Sequence, residues 1–147
     1  MKIFVDADSC PVKEEIISVA SEYNSKVIFV ASTSHQVKRE IGGVWKYVDP
    51  DDQAADLYIF NHLRKGDLLV TQDIGLASLA LSKGGYSLSP RGIIFNESRM
   101  DEALHFRYLS AKARRAGVHT KGPKVFTEVD RRNFIHALRE MIAGDVN

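Results

Sequence analysis

A chain of 147 residues, 44% hydrophobic and 27% charged, is long enough to close one core and too apolar for intrinsic disorder. Net charge is +1, yet residues 1–75 carry 8 basic against 12 acidic side chains and residues 76–147 carry 12 against 7. That asymmetry suits either a site holding a metal together with an anionic substrate or two solvated faces of unequal charge.

No apolar run approaches the ~20 residues of a membrane span, and Asp6 and Asp8 interrupt any signal-peptide core after four apolar residues. A lone cysteine, Cys10, excludes an internal disulfide, so a cytoplasmic protein without membrane contact is expected.

KIFVDA (2–7) reads as a first strand, and PVKEEIISVASEY (11–23) as a helix opening near Pro11, with Val12, Ile16, Val19 and Ala20 at helical spacing. KVIFVAS (26–32) is a continuous run of β-branched and aromatic residues, the mark of a strand covered on both faces. SHQVKREIGG (34–43) predicts a short helix stopped by Gly42 and Gly43, and VWKYVD (44–49) a third strand. Residues 49–66 predict a helix capped by Asp49, with Pro50 in its first turn and Gly66 at its stop. DLLVTQD (67–73) is a fourth strand, IGLASLALSKGG (74–85) a helix, and residues 85–96 one or two further strands. From Glu97 onward the pattern is helical: Phe106, Leu109, Ala113 and Ala116 form one apolar face. A later helix opens on Thr127 and Asp130 in capping-box spacing.

Alternating strands and helices with buried-type strands predict an α/β fold: a three-layer, Rossmann-like parallel sheet with helices on both faces, in one domain spanning residues 1–147 whose 97–147 portion is mainly helical. Right-handed crossovers place every strand's carboxyl end on one edge, where ligands bind such sheets. Asp6 ends the first strand and Asp73 the fourth, while Asp56 lies in the early turns of the helix after the third; Asp8, Asp51 and Asp52 lie nearby. Crowded carboxylates repel one another, and an oxygen-rich cluster of this kind suits one or two Mg²⁺ or Mn²⁺ ions. Asp6, Asp8, Asp56 and Asp73 are the metal-ligand candidates. The competing reading for Asp73, Asp51 and Asp52 is helix capping. The five histidines show no ligand spacing, and Cys10 reads as a small packing residue.

DADSCPV, DDQAADLYI, KGDLLVTQDIGLASLAL, SPRG and a TKGP loop, in that order, resemble the YaiI/YqxD family of uncharacterised bacterial proteins over essentially the whole chain. That family looks like a branch of the PIN-like superfamily of metal-dependent ribonucleases. The resemblance implies Asp6, Asp56 and Asp73 as catalytic acids and Thr71 as the hydroxyl residue before the last of them. For the superfamily's further acid, Glu40 is the candidate by position and Asp8 the alternative.

The expected activity is hydrolysis of RNA or another phosphodiester by metal-activated water. Arg107, Arg114, Lys121 and Lys124 are the candidates for substrate phosphates. HFRYL (105–109) could stack a base, against a core role for Phe106 and Leu109. Two alternatives stand beside this reading: a catalytically silent RNA- or nucleotide-binding protein, and a haloacid-dehalogenase-like phosphatase. In the phosphatase, Asp6 would be the nucleophile and Asp8 the acid/base, with Ser32 or Thr33 ending the second strand.

Overall fold

The computed structural model describes residues 1–33, 41–51, 53–117 and 124–146. Its elements are β1 (Lys2–Asp6), a 3₁₀ turn (Ala7–Ser9), α1 (Lys13–Glu22), β2 (Lys26–Ser32), β3 (Val44–Val48), α2 (Ala54–His62) and β4 (Leu68–Val70). They continue with α3 (Ile74–Ser82), β5 (Tyr86–Leu88), β6 (Ile94–Phe95), α4 (Glu97–Arg115) and α5 (Glu128–Val146). The sheet order is β3-β2-β1-β4-β5-β6, with every neighbouring pair parallel except β5 and β6.

Strand alternation sorts the core into two layers around the sheet. Ile3, Val5, Val27, Phe29, Leu68 and Val70 face one side, against Ile16 and Val19 of α1 and Phe134 and Leu138 of α5. Phe4, Ile28, Val30 and Leu69 face the other, against Ile59 of α2, Leu63 just beyond it, and Leu76 and Ala80 of α3. This is why β1 and β2 lack the polar alternation of a half-exposed strand: both of their faces are roofed by helices. Each fully buried Leu, Ile or Phe here contributes roughly 1.5–3 kcal/mol relative to an exposed one. The fold is thus an α/β, Rossmann-like three-layer sandwich. Strands are added to one side of β1 as far as β3 and then to its other side from β4, so the crevice between the carboxyl ends of the parallel β1 and β4 is the switch point where ligands bind such sheets.

Several element boundaries differ from the sequence expectation. The 3₁₀ turn, in which Cys10 N–H donates to the Ala7 carbonyl at 3.3 Å, delays α1 to Lys13. α2 begins at Ala54 rather than after Asp49, because Asp51 Oδ1 accepts from Gln53 N–H at 3.0 Å and closes a turn where the first helical turn was expected. It ends at His62, before Gly66, since Leu63 turns extended (φ −69°, ψ 132°) to bury its side chain. β6 runs antiparallel: the short link through Pro90–Gly92 has no room for a crossover helix. On α4, which packs against α3, Leu109 is 47% exposed and Ala113 half-buried, and Ala116 just past the helix is exposed, so the expected apolar face is not core over its carboxyl half; the Phe106 side chain lies outside the described residues. The helix predicted over 34–43 falls largely outside the described residues.

The α5 capping box forms as read, with Asp in the place of the usual Glu or Gln. Thr127 N–H donates to Asp130 Oδ2 at 3.0 Å, and Asp130 N–H donates to Thr127 Oγ1 at 3.2 Å. No helix among the described residues is long and apolar enough to cross a membrane.

Candidate active site at the carboxyl edge of the sheet

Asp6 is the last residue of β1 and Thr71 the first beyond β4, so the parallel pairing of these strands sets their side chains together. Thr71 is 1% exposed; its hydroxyl donates to Asp6 Oδ2 at 3.0 Å and accepts from Asp73 N–H at 3.0 Å. One buried hydroxyl therefore orients the Asp6 carboxylate and the Asp73 backbone across the switch point. Next to it, Gln72 Nε2 donates to the Ser9 carbonyl at 2.8 Å, tying the β4 loop to the 3₁₀ turn.

Asp73 caps α3, its Oδ1 accepting from Gly75 N–H at 2.9 Å and Leu76 N–H at 3.3 Å. The capping reading thus holds for one oxygen; Oδ2 takes no part in the cap. Asp56 is half-buried in the first turn of α2.

Electrostatics link these acids. Burial pushes the Asp6 carboxyl above its ordinary value; the Thr71 hydrogen bond opposes this, and the charges of Asp56, Asp73 and Asp8 each push it higher. Burial likewise raises Asp56, reinforced by the charge of Asp73. No basic side chain is among the groups acting on either acid.

Asp8 is placed differently. Its two oxygens lie 3.0 and 3.1 Å from Ser32 N, which donates to them and ties the 3₁₀ turn to the end of β2. Asp51 serves the turn before α2. Glu40, Asp52 and Lys121 lie outside the described residues, as does the side chain of Arg107 on α4. Arg114 and Lys124 are exposed. His62 bonds the Tyr58 carbonyl at 2.7 Å and His136 pairs with Glu140 at 3.1 Å, so neither belongs to the edge. Cys10 is buried and its thiol is pushed up to about 11 by that burial, which makes it an inert packing group.

Among the described residues no three His, Cys, Asp or Glu side chains are grouped so as to hold a metal ion as they stand. The chemistry of the edge is nonetheless that of a hard cation: carboxylates and a hydroxyl, with no imidazole or thiolate among the groups described above.

Sequence reasoning passed over Arg91. It sits in the turn after β5, pairs with Asp130 at 2.6 Å, and donates to the carbonyls of Lys124 and Val125. Phe126 lies between the Arg91 and Arg131 guanidiniums, at 5.7 and 5.2 Å. Arg131 in turn bonds Glu15 at 2.7 Å and the Pro11 carbonyl at 3.4 Å. These contacts bring the basic segment entering α5 to the same end of the sheet as the acids. The only available signal was an arginine in the SPRG turn directly after a strand.

The family model described as uncharacterised, YaiI/YqxD family, matches residues 4–144. A UPF0178 protein of Bacillus velezensis is 52% identical over 144 residues, covering 97% of this chain and 86% of its own length. A UPF0178 protein of Bacillus cytotoxicus is 45% identical over 143 residues, covering 97% and 93%, and one of Shouchella clausii 49% identical over 136 residues, covering 92% and 88%. No solved structure matches the chain significantly. With both the family model and these relatives spanning nearly its full length, the chain belongs to the YaiI/YqxD family.

Proposed function

We propose that the carboxyl edge is the site of a PIN-like, Mg²⁺- or Mn²⁺-dependent phosphodiesterase acting in the cytoplasm on RNA or a related phosphodiester. The observation that carries this reading is the Asp6 carboxyl, raised by burial and by three neighbouring acids with no cation set against them. A divalent ion relieves that repulsion, and Asp6, Asp56 and Asp73 are the residues that would hold it. When bound, such an ion supplies an activated water and offsets charge on the phosphoryl oxygens. Thr71 holds the Asp6 carboxylate in one orientation. Lys124 and Arg114 are the described cations offered to substrate phosphates.

Calorimetric Mn²⁺ titration of wild type, Asp6→Asn and Asp73→Asn, with a single-stranded RNA cleavage assay alongside, tests this. Wild type is expected to bind Mn²⁺ and cleave, and each variant to bind at least tenfold more weakly and lose cleavage. A wild type that binds no Mn²⁺ removes the enzyme reading.

A second reading, a nucleic-acid- or nucleotide-binding protein without catalysis, draws on Asp73, one of whose oxygens is engaged in the α3 cap. It requires RNA binding that is unchanged in both variants. The phosphatase reading is disfavoured because Asp8, its acid/base, is engaged through both oxygens by Ser32 N–H.

A further inference from the structure

At the opposite end of the sheet, Lys2 and Lys26 are direct register partners on the adjacent parallel strands β1 and β2. Alternation puts Lys2 on the face of Phe4 and Lys26 on the face of Ile28, the side roofed by α2. Lys46 pairs with Val30, which belongs to that same face. Arg64 follows the end of α2, where Tyr58 and His62 stack at 4.0 Å between ring centroids. These side chains line one cavity of about 200 Å³ floored by the buried Phe4 and Ile28.

Four basic side chains thus converge on a space with no carboxylate in its lining. Among the described residues none of the four forms a salt bridge. Like charges set beside each other on adjacent strands repel and destabilise the sheet. Two features partly compensate. The carboxyl end of α2 carries roughly half a negative charge, and the Asp67 carboxylate lies close by. Both Asp67 oxygens, however, already accept from Lys2 N–H at 3.0 Å and Arg64 N–H at 2.9 Å. A positive excess of about two and a half charges is left over. His62 Nδ1 is engaged by the Tyr58 carbonyl at 2.7 Å, which leaves Nε2 for a ligand.

We propose that this cavity is a phosphate-binding site, separate from the acidic edge. Its volume fits a phosphoryl or diphosphoryl group rather than a whole nucleotide, since drug-sized ligands occupy about 300–1,000 Å³. The phosphoryl group comes either from a free phosphorylated compound or from a nucleic-acid backbone.

The test follows the His62 ring protons by NMR while inorganic pyrophosphate, or separately a single-stranded RNA hexamer, is added at constant ionic strength. Wild type is expected to show saturable shifts. The exposed double substitution Lys46→Ala with Arg64→Ala should weaken binding at least tenfold with its circular dichroism unchanged. A hexamer binding tenfold or more tighter than pyrophosphate assigns the site to a nucleic-acid backbone, and equal or weaker binding assigns it to a free phosphorylated compound. No saturable shift in wild type, or unchanged affinity in the double variant, overturns the proposal. Mn²⁺ is absent throughout, so the outcome is independent of the reading of the acidic edge.

Discussion

Asp6 is held in an environment that disfavours its own charge. Thr71 supplies a hydrogen bond at 3.0 Å, but burial and three acidic neighbours outweigh it, and the carboxyl titrates above the ordinary aspartate range. The sign of the linkage follows. Between the ordinary and the raised value the folded state binds more protons than the unfolded chain, so stability falls as pH rises through that window. Asp6→Asn keeps an oxygen able to accept from Thr71 and removes the charge. It is therefore expected to raise Tm at pH 7 by about 2–4 °C, with the gain fading as pH falls through that same window and absent below about pH 4, where the carboxyl is protonated in both states. Thermal unfolding of both proteins from pH 3 to 8 measures this. An Asn variant less stable than wild type at pH 7 would contradict the electrostatic account.

Each helix entrance at the candidate site is made by a different device. Asp73 caps α3 through one oxygen, the Asp51 turn leads into α2, and α5 uses a reciprocal Thr127–Asp130 box. Thr127→Ala is expected to cost about 1 kcal/mol, the usual value of an N-cap. Asp130→Ala should cost more, because it also releases Arg91 and, with it, the segment of Lys124 and Val125 that Arg91 holds. The ion-pair share is small, since both side chains are partly exposed. Urea denaturation ranks the two variants; equal losses would mean that Arg91 adds nothing to the anchoring of α5.

The sheet is locked to the α1–α5 layer where the β5–β6 turn meets α5. Gly92 has φ +87°, and a Cβ there would lie 2.6 Å from the Asn133 carbonyl carbon and 2.9 Å from Phe134 N. Backbone cannot yield as a flexible side chain can, and Phe134 is fully buried in the α1–α5 layer. Gly92→Ala is expected to cost about 2 kcal/mol or more, with amide exchange accelerated in α5 as well as in the turn. Faster exchange confined to the turn would show that the layers are not coupled there.

Buried-type strands such as KVIFVAS, helical spacing in residues 11–23 and the Thr127–Asp130 box were legible because each depends on neighbours a few residues apart. The same local logic put Asp6, Asp56 and Asp73 on one edge, since parallel crossovers leave no other arrangement. It also carried the family, through motifs read along the whole chain. What was not legible depends on partners far apart in sequence. Thr71 and Asp6 are 65 positions apart, and Asp8 belongs to Ser32 rather than to the acidic cluster alone. Arg91 reaches 39 positions to Asp130, and the lysine pair at residues 2 and 26 exists only through strand register. Periodicity and caps are written in short-range backbone geometry. Which side chain accepts which proton, and which charges share a cavity, is set when the β4 and β2 strands take their places beside β1.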